Sequence, residues 1–302
     1  MGFIPFRCFD LGGAAMTTNN LSNKAMLVRL AIKQWSVRKY DRNVTQKIAN
    51  DYQTTVDSGR YTKVLLAVNA IRKMSKIANE VRSYHYERTL PWYDWGPRLL
   101  PAANYLEYTQ KIQFFKTEFE KAVTEFVQNY QTYIDEARNQ LNGMFNPNDY
   151  PPQTAIARYY GFKVSVDPLP EKEDFRVNLG EAEVAAIQAD IEARTLEAQA
   201  AGMRELWTRL HDAVNSMVER LSDDKAIFRD SLVGNLSDLI ALLPKMNIAD
   251  DKDLDVMGRQ VEKKLCGFKP DQLRADKNSR RKAAKAAKGI LDDMAGYMGG
   301  AK

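Results

Sequence analysis

Asp251, Asp253 and Asp255 alternate along the chain, and Glu262 follows Asp251 by eleven residues. Carboxylates at the first, third, fifth and twelfth positions of a loop are the oxygen donors of an EF-hand calcium site. The sixth position, where that loop needs glycine for its sharp turn, is Val256. The same aspartates would suit the first turn of a helix, where negative charge meets the positive end of the dipole. The only two histidines, His85 and His211, lie far apart, and neither has neighbours at metal-ligand spacing. His85 stands between Tyr84 and Tyr86, a string that could stack on nucleobases or pack internally. Glu118, Glu120, Glu125, Glu192 and Glu197 are spaced as solvated flanks rather than as a catalytic pair. The phosphate loop, the dinucleotide fingerprint, the nucleophile elbow and the HExxH zinc helix are all missing from the sequence. No catalytic, cofactor-binding or metal-ligating set is assigned, and an enzyme is the least favoured class.

Two groups of residues remain that could bind a macromolecule. Trp92-Tyr93-Asp94-Trp95 holds two of the four tryptophans. Trp92, Tyr93 and Trp95 can act as anchors for a protein partner, since Trp and Tyr dominate such contacts. They can equally form a hydrophobic clamp inside the protein. Lys277, Arg280, Arg281, Lys282, Lys285 and Lys288 form a basic run that could neutralise phosphates with salt-dependent, sequence-independent affinity. That run has no interleaved aromatics, which argues against stacking on single-stranded bases. A plain solvated face is the simpler alternative. An interfacial helix with Ile290, Leu291 and Met294 against a membrane is weaker still.

The elements that must position these groups are mostly helical. Tyr105, Tyr108, Ile112, Phe115, Phe119, Phe126, Tyr130, Tyr133 and Ala137 recur at three- and four-residue steps within 101–142. Val184, Ile187, Ile191, Ala198, Met203, Leu206, Leu210, Val214, Met217 and Leu221 do so within 180–222. Such spacing predicts two long helices with coiled-coil-like seams, each about 60 Å long. Gly202 would loosen the centre of the second. Alternation at 26–33 and 161–166 predicts two half-buried strands, paired as a small antiparallel β element. Between them lie a short helix at 42–56, a longer one at 66–88 and an extended aromatic connection through Pro91, Pro97 and Pro101. Shorter helices follow at 226–243, stopped by Pro244, then 251–265 and 270–297.

The fold class expected is mainly α: an elongated bundle of two long antiparallel helices with a small β element. Its divisions are an uncertain leader over 1–20, a rod domain over 21–225 and a C-terminal helical region with a basic tail over 226–302. Met16 precedes a polar, start-like stretch, so translation could begin there instead of at Met1.

Apolar residues at 44% and charged residues at 27% exclude a disordered chain. No run is long enough for a membrane helix. Two isolated cysteines, Cys8 and Cys266, fit a reducing compartment. The net charge of +5 hides a balance of +9 over 24–88, −11 over 89–262 and +8 over 263–288. Acidic helices could attract the basic ends within the fold. Alternatively, two basic surfaces face an anionic partner.

AMLVRLAIKQWSVRKYD at 25–41, RTLPWYDWGPRLLPAANYLEY at 88–108 and FRDSLVGNLSDLIALLP at 228–244 resemble an uncharacterised bacteriophage protein family. The resemblance covers about residues 21–265. Members are commonly encoded near a MoxR-type AAA+ ATPase and a von Willebrand factor A or cobaltochelatase-like protein. This implies an adaptor in the cytoplasm of an infected host and brings no catalytic residue with it. The expected function is a non-enzymatic interaction or scaffold protein that self-associates or docks onto such a partner. The alternative is a nucleic-acid-binding protein using the 24–88 and 263–288 surfaces.

Overall fold

A computed structural model describes residues 21–93, 96–174, 177, 179–223 and 226–297. Its elements, in chain order, are β1 (Ala25–Lys33), β2 (Arg38–Tyr40), α1 (Arg42–Asp51), β3 (Thr62–Val64), α2 (Val68–Arg88), β4 (Leu90–Pro91) and β5 (Arg98–Pro101). Then come α3 (Tyr105–Gln128), α4 (Tyr130–Leu141), α5 (Gln153–Ile156), β6 (Gly161–Asp167) and α6 (Glu181–Ser222). Last are α7 (Ser231–Met246), α8 (Lys252–Val261), a π-helical turn (Glu262–Cys266), α9 (Pro270–Ala275) and α10 (Lys277–Ala295). The protein is mainly helical with a small antiparallel sheet. The described residues form two compact units, one within 21–29, 88–106 and 166–297, the other within 30–87 and 107–165. Neither unit is continuous in sequence, so a boundary near 225 does not mark this division.

The first unit is organised by α6. Glu181 and Glu183 favour its start, where carboxylates meet the exposed N–H groups. Ala198, Met203, Leu206, Leu210, Val214, Met217 and Leu221 bury one stripe of it, as the three- and four-residue spacing predicts. Within this unit α6 packs against α10 and α7, whereas the first predicted rod lies in the other unit. The α6–α10 pair is antiparallel, because Arg280 meets the carbonyls of Arg220 and Leu221 while Tyr297 stacks on Trp207 at 5.4 Å. The basic tail helix is therefore an integral partner of α6. Pro244 does not stop α7 where expected. It lies in the last turn, where one backbone bond is lost, and Asn247 N–H still closes on the Leu243 carbonyl at 3.1 Å. The expected 270–297 helix is two, since Asp276 is extended and caps α10.

The aromatic connection forms a hairpin in place of a free link. β4 pairs with β5 and β5 with the first half of β1, with Leu90 opposite Leu99 and Met26 opposite Leu100. Arg98 ties this hairpin down: its Nε–H donates to Thr89 Oγ1 at 2.8 Å, and its guanidinium pairs with Glu205 of α6 at 3.3 Å. Arg209 donates to the Thr89 carbonyl at 2.9 Å.

In the second unit, the latter half of β1 has β6 beside it, as the two alternating segments predict. β2 and β3 form a separate ladder, with Lys39 opposite Lys63. The first predicted rod is α3 and α4, interrupted at Asn129, whose side-chain amide donates to the Glu125 carbonyl at 2.8 Å and competes with the helical ladder. Its neighbour in this unit is α2, and the two run antiparallel. Tyr84 stacks on Tyr108 at 6.0 Å, and far along the pair Lys73 meets Glu125 at 2.5 Å. Met74, Ala78, Phe119, Ala122, Phe126 and Tyr130 form the core between them.

Gly202 has a packing role that the helix-propensity reading missed. A Cβ there would stand 3.3 Å from Leu90 Cδ1 and 3.4 Å from its Cβ, so glycine lets β4 approach α6. Leu90 is fully buried and has little room to give. Gly202→Ala should gain about 1 kcal/mol of helix propensity yet lose more to overpacking. The expected net loss is about 1 kcal/mol, read as a fall of roughly 2 °C in thermal midpoint. A rise in midpoint would show that this contact does not limit the approach.

Candidate anionic-partner interface

The C-terminal basic run acquires a definite geometry from α9 and α10. Pro270 starts α9, its fixed backbone angle suiting the first helical position. Asp276 then accepts from the Asn278 and Ser279 N–H groups at 2.9 and 3.1 Å and from Ser279 Oγ at 2.6 Å. The Ser279 hydroxyl and these N–H groups hold the Asp276 carboxyl below its ordinary value. This cap fixes the rotation at which α10 begins.

Ser279, Arg280, Ala283, Ala287, Ile290 and Met294 are buried along one side of α10. Lys277, Arg281, Lys282, Lys285 and Lys288 are all exposed. At 3.6 residues per turn they occupy an arc of about 140° and a length of about 16 Å. Lys263 and Lys264, in the π turn that packs on α10, are exposed in the same unit. Asp292 and Asp293 end the basic stripe. Such a face can neutralise phosphates or carboxylates, and no aromatic side chain stands among its cations to stack on a base.

Arg280 does not belong to this face, contrary to its expected place in the anion-binding set. It is 7% exposed and points into the first unit. Its Nε–H donates to the Leu221 carbonyl at 3.2 Å, and Nη2 faces the carbonyls of Arg220 at 2.7 Å, Ala226 at 2.8 Å and Asp223. Two of these belong to the last turn of α6, whose carbonyls have no helical donor. Arg280 and Arg274 also lie over the Phe228 ring, at 5.3 and 5.2 Å.

The other sequence candidates separate. Trp92 is 4% exposed and sits in the first unit's core beside Leu90 and Leu99, so its indole acts as a clamp and is not offered to a partner. Tyr93, 5.2 Å from it, is 41% exposed. Trp95 lies outside the described residues. His85 is buried, with Nδ1 2.8 Å from Tyr108 Oη, and burial pushes that phenol's pKa up. His211 is on the surface, 3.2 Å from Asp212. Asp251 caps α8: Oδ1 accepts from the Asp253 and Leu254 N–H groups, and Oδ2 accepts from the Trp207 indole at 2.9 Å. The aspartates thus stand at a helix start. Among the described residues, no group of three or more His, Cys, Asp or Glu could hold a metal ion. Among them too, no helix is long and apolar enough to cross a membrane.

The sequence reading missed one ionic cluster entirely. Lys63 on β3 is buried at 6% exposure between Asp149 at 2.7 Å and Asp41 at 3.1 Å, and it donates to the Met144 carbonyl at 2.9 Å. Lys39 reaches Asp149 at 2.6 Å. These lysines therefore cannot contribute freely to a basic 24–88 surface, which is in any case split between the units. Burial alone would lower the Lys63 pKa, but the bonds to Asp149 and Asp41 outweigh it and raise it. The Val44 N–H foremost, then Lys63, holds Asp41 down. Burial would raise Asp149, and Lys39 with Lys63 reverses that.

Lowered carboxylate values mean stabilisation that is present above the ordinary aspartate value of 3.8 and lost as pH falls below it. The raised lysine value places the alkaline loss above 10.5. Lys63→Met should cost about 2 kcal/mol at neutral pH, because it leaves two carboxylates short of a partner. In urea titrations, its deficit against the parent chain should shrink steadily below about pH 4. A deficit constant down to pH 2.5 would mean that these charges do not couple to folding.

No protein-family model matches this chain, and no match appears among curated proteins or solved structures.

Proposed function

We propose that this chain is a non-enzymatic interaction protein that holds a nucleic-acid backbone on the outward face of α10. The observation that carries this reading is the segregation on that helix. Five cations lie on the exposed side, while the single cation on the buried side is spent on carbonyls. A helix that needed only solubility would gain nothing from excluding acids across that span, because mixed charges serve as well. The non-enzymatic part is supported by the employment of the histidines, one in a buried bond to Tyr108 and one on the surface.

A second reading makes the chain a scaffold or adaptor of the bacteriophage type. It would work in the host cytoplasm, self-associate, or dock onto an AAA+ or von Willebrand factor A-type protein. Long coiled-coil-like seams belong to that reading. The observation favouring it is Phe114 on α3 and Tyr86 on α2, each 55% exposed.

Fluorescence anisotropy with a 24-base-pair duplex tests the leading reading. If all five cations touch phosphates, the logarithm of affinity should fall with the logarithm of salt at a slope of about −4 to −5. Reversing Lys282 and Lys285 to Glu should weaken binding at least tenfold and flatten the slope by about 2. Unchanged affinity and slope in that variant would exclude α10. Co-elution with a protein partner that requires Phe114 would promote the second reading.

A further inference from the structure

A groove in the second unit lies between α1 and the segment that follows it, open to solvent and with room of about 280 Å³. Tyr52, Thr54, Thr55, Ser58, Arg60 and Tyr61 contribute to its lining. Tyr52 is 80% exposed, so most of its aromatic ring stands in water. The three hydroxyls are already gathered: Ser58 Oγ lies 2.8 Å from Thr54 Oγ1 and 3.0 Å from Thr55 Oγ1. Arg60 is exposed and has no hydrogen bond or ion pair to any described residue.

These groups are complementary to two parts of one ligand. An unemployed guanidinium beside clustered hydroxyls offers N–H and O–H donors to phosphate oxygens. An exposed tyrosine ring offers a stacking platform worth about 1–3 kcal/mol per base. The volume of this open groove is near the lower end of small-ligand sites, about 300 Å³, and suits one nucleotide rather than a dinucleotide cofactor. Nearby Asp57 is exposed but does not line the groove. We infer that this groove binds a nucleoside monophosphate unit, with the base on Tyr52 and the phosphate at Arg60 and the Thr54–Ser58 hydroxyls. The unit could be a free nucleotide or one residue of a single strand. The inference is independent of the α10 reading, which concerns a different face and needs no base contact.

The test follows amide chemical shifts of the full chain during titration with AMP, adenosine, ribose 5-phosphate and an eight-base oligodeoxyadenylate. Shifts at residues 52–61 with AMP, and at least tenfold weaker effects with adenosine or ribose 5-phosphate, are expected. AMP outcompeting the oligonucleotide would assign a free nucleotide, and the reverse order would assign a single strand. Tyr52→Ala and Arg60→Gln are surface changes that should leave circular dichroism intact. Each should weaken binding about tenfold or more. No shift at these residues with any probe up to 5 mM would overturn the inference. So would affinity unchanged in both variants, or binding abolished only by the Lys282 and Lys285 reversals.

Discussion

The guanidinium of Arg280 answers a problem created by the length of α6. A helix of 42 residues ends with a set of carbonyls that have no backbone donor and carry the negative end of the dipole. Arg280 supplies both charge and N–H groups there, to Arg220 and Leu221, and reaches on to Asp223 and Ala226 beyond the helix end. Because it does so from α10, one side chain fixes the register of the antiparallel α6–α10 pair. Ala283, Ala287 and Ile290 can then lie close against α6. The remaining cations of α10 have no place but outward. The candidate interface is thus a consequence of how the helix end is satisfied.

The second unit depends on different physics. Its small strands bury little, and its polar anchors are internal bonds instead. Tyr130 donates to the Pro151 carbonyl at 3.0 Å, and Tyr150 donates to the Leu65 carbonyl at 2.8 Å. Trp35 packs edge-on against both rings. Lys63 adds an ion cluster to this network. Desolvating it costs energy, but removing one partner costs more, since the others are left buried and unmatched. The groove beside α1 belongs to the same unit, and Arg60 and Tyr52 stand exposed in its lining.

Periodicity made the long helices and two strands legible, because half-buried elements write their geometry into apolar spacing. Val28 and Leu30 on alternate positions marked β1, and the stripe from Ala198 to Leu221 marked α6. Pairing was not legible. A seam states that a partner exists without giving its address, and within their own units the two long stretches lie against α2 and α10. The strands β2 to β5, two to four residues each, are too short for a pattern, and β4 and β5 also contain proline. Arg280 could have been distinguished from its basic neighbours, since it falls three and seven residues before Ala283 and Ala287 on the buried side. Lys63 gave no such sign. Its partners Asp41 and Asp149 meet it only through tertiary structure.

Hydrogen exchange on the full chain, with Arg280→Ala beside the parent, tests most directly whether one guanidinium holds the first unit together. Loss of hydrogen bonds from a charged donor should cost about 2–3 kcal/mol. Amides in the last two turns of α6 and the first two turns of α10 should then lose protection together, while those of α2 and α3 keep theirs. Protection unchanged in α6, with any loss confined to the start of α10, would contradict the central role assigned to Arg280.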